Sequence, residues 1–243
     1  MPSRSWWAAS DFEVRHRSLI SIAIYLLAFA FWALDRRDVA GYIARLLPAD
    51  LPATQISYLI AAQPALLAAW ISTWACAYLP GGANEGLRPG DNDLVTDGPY
   101  RLVRHPLYLG TILCFLGFAI LLNRLGFAIA MLGITAFVCR LISREEAELD
   151  AAFGASYRAY WDAVPRLFPA PRGKIWRLGR VPNWKQGLIG GGYLWLVAAA
   201  LVVLAASLKE SMFYATLAAA FGVRIISTRW AKHLTSNAAA ISP

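Results

Sequence analysis

Six stretches of this chain are apolar over seventeen residues or more: 18–34, 56–79, 106–122, 125–142, 188–207 and 211–228. A helix crosses the hydrocarbon of a bilayer with about 20 apolar residues, and about 17 can suffice. In that solvent backbone amides find no water, and a helix satisfies them within its own segment. Runs this long, without two-residue alternation, point to helices. The fold class expected is therefore all-α, a polytopic membrane protein with about six transmembrane helices.

Composition agrees. Only 16% of the 243 residues are charged, against about 25% in ordinary soluble domains. Ten tryptophans and ten tyrosines suit aromatic belts at two interfaces. The net charge of +8 is read as attraction to anionic membrane lipid; no nucleic-acid partner is expected. Cys76, Cys114 and Cys139 each lie inside an apolar run and have no paired spacing. They read as small core residues. No two of His16, His105 and His233 stand at a short helical spacing, so no metal site is expected.

The first run could be taken for a signal peptide. Its long polar lead and its exit into Asp35-Arg36-Arg37 argue for a retained span. With the N-terminus inside, eighteen basic residues fall on the cytoplasmic side and five outside. The positive-inside rule then puts both termini in the cytoplasm, of a bacterium and its inner membrane on this reading. It also brings the polar stretches 80–105 and 143–187 to one side, flanking a hairpin turned at 122–125. Pro64 falls inside the second run and is expected to kink it. Arg224 falls within the last and must snorkel or pair. Gly187 and Gly191 have the spacing of close helix packing.

Residues 98–110 read GPYRLVRHPLYLG. Pro106 needs no amide donor at a helix start. That leaves the amides of Leu107 and Tyr108 at a positive helix end, a place for a carboxylate or phosphate, with Arg101 and Arg104 adding charge. Further on, Glu145 and Glu146 stand where the fourth apolar run stops. Leu149, Phe153, Tyr157, Tyr160, Trp161 and Val164 follow as an amphipathic face interrupted by Gly154. This face is expected to lie along the membrane surface and cover the mouth of the hairpin. Anion-binding groups on one side and carboxylates on the other match a ligand with a carboxylate, an amine and hydroxyls. S-adenosylmethionine has all three; a phosphate-bearing nucleotide suits the basic side equally.

The two stretches together resemble the isoprenylcysteine carboxyl methyltransferase family, within a wider group of integral membrane methyltransferases that includes phospholipid N-methyltransferases. Arg104, His105, Pro106, Tyr108 and Gly110 match an R-H-P-x-Y-x-G element. Glu145, Glu146, Phe153, Gly154, Tyr157, Tyr160, Val164, Arg166 and Pro169 match the acidic and aromatic element that follows a two-span hairpin. The resemblance implies S-adenosylmethionine in a cytoplasmic-facing pocket, lined by His105, Tyr108 and Leu109 and held by Glu145 and Glu146. It implies methyl transfer to a lipidic or small hydrophobic acceptor at a carboxyl, amine or thiol. Glu146, His105 and Arg104 are the candidate catalytic residues. Arg104 and Arg166 are candidates for the donor carboxylate or the acceptor. On this reading residues 98–170 form the methyltransferase core. Residues 1–97 form an N-terminal membrane region of two helices, in which no family signature is seen through the first hundred positions. Residues 171–243 add a basic linker and two further spans, beyond the point soon after the second motif where members of the family the chain resembles often stop; these spans would cover a lateral opening. An NADPH-dependent membrane reductase of the sterol-reductase type, which shares the H-P-x-Y-x-G element, is the alternative; paired glutamates disfavour a phosphate-rich cofactor. Nothing in the sequence sets an oligomeric state.

Overall fold

The structure, a computed structural model, describes residues 7–79, 94–170, 175 and 178–241, with side chains described through residue 227. Arg4 and Arg88, two of the arginines assigned to the inner side, lie outside these residues, as does most of the polar stretch that opens at 80. The described chain is helical: α1 Asp11–Arg15, α2 Arg17–Ala30, α3 Val39–Arg45, α4 Ala53–Cys76, α5 Pro106–Ala119, α6 Arg124–Phe153, α7 Ala155–Ala163, α8 Trp184–Gly191, α9 Tyr193–Ser207 and α10 Glu210–Ile241.

The all-helical membrane architecture holds in its coarse form. By length and apolarity α4 and α6 can each cross a bilayer, and α8 with α9 makes a third span if the pair, bent by 56°, counts as one. The other expected runs come out shorter or more polar. Helix α5 has 14 residues, because the chain then leaves the helix and Ile120 and Leu122 accept the amides of Ala40 and Val39. Helix α2 gives way to a 3-10 turn at Phe31–Ala33, where the Asn123 side-chain amide donates to the carbonyls of Phe31 and Asp35 at 2.6 and 2.8 Å. Asn123 also caps α6, its Oδ1 accepting the Gly126 amide, and so turns the α5–α6 hairpin.

Helix α4 runs unbroken through Pro64 and is the centre of the packing. Its alanines at 61, 62, 65, 68, 69 and 75 are buried, and their short side chains let neighbours approach on two sides. On one side α5 seats Gly110 and Gly117 against Ser72 and the Ala61 carbonyl. On the other, α8 seats Gly187 and Gly191 against the Thr73 backbone. The paired glycines are thus helix-packing residues. Helix α6 packs through Ile134, Phe137, Val138, Leu141 and Ile142 onto α2 and α5, which contribute Ile20, Ile24, Tyr108, Ile112 and Phe115. Arg224 in α10 is paired, its guanidinium 4.5 Å from the Tyr193 ring and 3.5 Å from the Gly190 carbonyl. Large apolar residues stand exposed along the outer faces, including Leu26, Leu27, Leu132, Phe221 and Ile226, as a lipid-facing surface requires.

At 1.5 Å per residue the 30-residue α6 is about 45 Å long, against about 30 Å of hydrocarbon. Its acidic end therefore projects past the apolar run as ordered helix. The N-terminal segment is fixed to that end. Ser10 and Glu13 form a reciprocal cap on α1, and the Arg140 guanidinium donates to both Glu13 oxygens at 2.9 and 2.8 Å. That pairing lowers the Glu13 carboxyl to about 2. Arg144 reaches Asp11 at 2.6 Å and Glu148 at 2.8 Å, and the Ala9 amide donates to the Arg140 carbonyl.

Candidate functional site

The loop before α5 is a buried, folded piece of chain. A 3-10 turn spans Gly98–Arg101. Gly98 has φ +61°, and a Cβ there would meet the Tyr78 ring at 2.4 Å, so both conformation and space demand glycine. The Asp97 carboxylate accepts the amides of Leu178 and Arg180, and Arg101 donates to the Ile175 carbonyl. The loop is also laced to the segment after α7. The Arg104 amide donates to the Pro165 carbonyl at 2.9 Å, His105 to Arg166 at 3.3 Å, and Ala170 to Leu102 at 2.8 Å. The Tyr160 hydroxyl donates to the Tyr100 carbonyl at 2.7 Å. The two sequence elements, about sixty residues apart, are thus joined main chain to main chain.

Their side chains meet at Glu146, which is 2% exposed. One oxygen accepts from Arg104 at 3.0 Å and lies 3.2 Å from His105 Nε2. Arg166 donates to both oxygens through Nε and also through a terminal nitrogen, a particularly close contact. Arg166 further donates to the Ser143 hydroxyl. A carboxylate at this depth is tolerated only because cationic donors surround it. Arg104 itself is boxed in, with a bond to the Trp161 carbonyl at 2.7 Å and its guanidinium 4.3 Å from the Trp161 ring. Two polar atoms of this cluster, Arg104 Nε and the Tyr157 hydroxyl, are buried with no hydrogen-bond partner among the described residues. Burial pushes the Tyr157 hydroxyl up in pKa, so it stays protonated.

Glu145, one residue away and half-buried, turns to another group. The Tyr108 hydroxyl lies close enough to Glu145 and to Arg17, at the head of α2, for both charges to act on it. The His105 and Tyr108 ring centroids are 5.9 Å apart, which connects the two acid positions through α5. Leu109 is half-buried, its amide on the His105 carbonyl. His105, Tyr108, Leu109, Glu145 and Glu146 therefore converge at one end of the α5–α6 hairpin.

Two expectations change in detail. Arg104 and Arg166, read as candidates for the donor carboxylate or the acceptor, are both engaged by Glu146. The face formed by Leu149, Tyr157, Tyr160 and Val164 does turn at Gly154, whose φ is +52°, but it is covered by protein: it packs on Leu94 and Ile175. Sequence reasoning missed Arg17, whose position beside Tyr108 depends on the N-terminal segment being fixed to α6. It also missed Trp161 as the platform under Arg104. A depression of about 440 Å³ opens beside Arg104, bordered by Trp161, Val164, Pro165 and Ala170.

Residues 56–156 match the model of the phospholipid methyltransferase family, which bears out the family resemblance read from the two elements. The match begins at the first residue of the second apolar run, so family character reaches further toward the N-terminus than the motifs revealed. The chain is 41% identical over 83 residues to the protein-S-isoprenylcysteine O-methyltransferase of Schizosaccharomyces pombe, covering 34% of this chain and 35% of that one. It is 42% identical over 71 residues to methanethiol S-methyltransferase 2 of Bradyrhizobium diazoefficiens, covering 29% and 26%. It is 33% identical over 97 residues to the cobalt-zinc-cadmium resistance protein CzcN of Cupriavidus metallidurans, covering 40% and 41%. The chain thus spans between about a quarter and two fifths of the length of these relatives, and none of the three is named as a reductase. No solved structure matches the chain.

Proposed function

We propose that this chain, which carries the phospholipid methyltransferase family match over residues 56–156, is an S-adenosylmethionine-dependent methyltransferase. It acts on a lipidic or small hydrophobic acceptor at the cytoplasmic face of its membrane. The observation that supports this best is the contact between the two motifs at His105 and Glu146. In the same reading all six apolar runs sit in the bilayer, the shorter ones aided by flanking turns, and both termini face the cytoplasm. Residues 98–170 form the catalytic core, and α8 to α10 cover its flank against α4.

The residues present fit such a donor. Glu145 is a half-buried carboxylate beside a phenol, suited to an ammonium group and to hydroxyls. The first-turn amides of Leu107 and Tyr108 have no carbonyl ahead of them in α5 and suit a carboxylate. Arg104 Nε and the Tyr157 hydroxyl add buried polar capacity that no described residue satisfies. When bound, the donor supplies a methyl group on a cationic sulfur, already activated toward displacement.

The chain's own residues then have three tasks. His105, Tyr108 and Leu109 line the donor and exclude water, and Glu145 orients it. Glu146 holds Arg104, Arg166 and His105 in one arrangement. With three donors on its two oxygens it serves better as a fixed counter-charge than as a base. When the neutral His105 ring donates from Nε2 to Glu146, Nδ1 is left as the acceptor, available for the proton of an amine or thiol acceptor. An acceptor carboxylate needs no such help. The relatives' names, one an O-methyltransferase and one an S-methyltransferase, favour carboxyl and thiol over amine.

The test uses the full chain in detergent. S-adenosylmethionine at a hundred times its Kd should raise the melting temperature by several degrees, and NADPH should leave it unchanged. Incubation with a lipid extract and methyl-deuterated donor should yield a product heavier by one labelled methyl. A shift with NADPH and none with S-adenosylmethionine would reverse the assignment.

A further inference from the structure

Among the described residues, each guanidinium that the loop before α5, α6 and the segment after α7 place around the twin acids faces a carboxylate. Arg104 and Arg166 face Glu146, Arg140 faces Glu13, and Arg144 faces Asp11 and Glu148. Arg17 differs: it is exposed, it heads the face of α2 whose Ile20 and Ile24 pack in the same cluster as Tyr108, and its charge acts on the Tyr108 hydroxyl. It heads the stripe Ile20, Ser21, Ile24 and Tyr25, one turn apart along α2. That stripe faces the bundle, because Ile20 and Ile24 pack on α6 and the Tyr25 hydroxyl donates to the Phe118 carbonyl. Arg17 is therefore aimed at the site mouth, and the Glu13–Arg140 and Asp11–Arg144 pairs fix the segment that leads into it.

We infer that Arg17 is a specificity-determining residue that seats an oxyanion, a carboxylate or phosphate, carried by the acceptor. This rests on the methyltransferase reading above. Arg17 lies outside residues 56–156, the part shared with the family model. The donor is the element such enzymes have in common, whereas the acceptors named for the relatives differ, an isoprenylcysteine in one and methanethiol in another. A cation delivered to the mouth from outside the shared segment is placed to choose among acceptors. A guanidinium that faces no carboxylate among the described residues keeps a two-donor face for an oxyanion.

The experiment measures binding of two probes to the full chain in detergent by tryptophan fluorescence: N-acetyl-S-farnesylcysteine and its carboxamide, which differ only in the charged group. Wild type should prefer the acid by about tenfold or more. Arg17→Gln should abolish the preference and Arg17→Lys should retain part of it, while the thermal shift with S-adenosylmethionine stays as in wild type. A wild type indifferent to the charge, or a preference intact in Arg17→Gln, overturns the inference. So does loss of the S-adenosylmethionine shift in Arg17→Gln, which would give Arg17 to the donor. A wild type with no S-adenosylmethionine shift refutes the proposed function instead; an acid preference that still depends on Arg17 would then establish the oxyanion seat alone.

Discussion

Glu146→Ala is expected to abolish methyl transfer and to remove about 3–5 kcal/mol of stability, the usual result of deleting one partner of a buried charge cluster. The loss arises from what stays behind. Arg104 and His105 are nearly as buried as Glu146, with side chains 6% and 4% exposed, so water replaces the lost carboxylate poorly. Arg166 is 37% exposed and relaxes into solvent, so little of the cost comes from it. Glu146→Gln separates fold from function. The amide keeps the volume and one acceptor oxygen, so the protein should stay folded, but its NH2 group faces guanidinium donors and the arrangement of His105 is lost. Transfer of labelled methyl should vanish in both variants, and only the alanine should show the large fall in melting temperature in detergent. Full activity in purified Glu146→Gln would remove Glu146 from the site.

The second large effect lies far from the acids. Gly191→Val should detach α8 from α4. A Cβ at 191 would lie 2.7 Å from the Thr73 amide nitrogen, 2.8 Å from its Cα and 3.0 Å from the Ser72 carbonyl carbon. These are backbone atoms inside a helix, with no rotamer to change. The expected cost is about 3 kcal/mol, the upper end for overpacking. It should fall on the C-terminal unit, because α9 and α10 follow α8, and because the Asn183 amide bond to the Ala77 carbonyl and the Trp195 indole bond to Thr73 belong to the same seam. Limited proteolysis should open the chain near 178–183 in the variant and not in wild type. An unchanged melting temperature and cleavage pattern would contradict the packing described for α4.

Much of this was legible in the sequence, for identifiable reasons. Apolar run length located α4, the start of α6 and the α8–α9 segment, because a bilayer leaves the backbone no alternative to helix. Pro106 announced the start of α5, and Gly154 the turn between α6 and α7, because each residue has one conformational use there. The convergence of His105 with Glu145 and Glu146 followed from two polar stretches flanking one hairpin. What could not be read was set by partners distant in sequence. The truncation of α5 comes from amides of Val39 and Ala40. The bend between α8 and α9 interrupts an apolar run with no proline in it. The engagement of Arg104 and Arg166 by one carboxylate depends on the backbone bonds to residues 165 and 166. Arg17 carried no signal at all, since a basic residue ahead of an apolar run is ordinary in a membrane protein.

The central claim is that two distant motifs close around one methyl donor. Ultraviolet cross-linking of S-adenosylmethionine, tritiated in its methyl group, to the purified full chain tests it directly. The label should be found in peptides containing residues 104–110 or 145–157, and excess S-adenosylhomocysteine should remove it while NADPH does not. Label confined to other peptides, or indifferent to S-adenosylhomocysteine, would contradict the account.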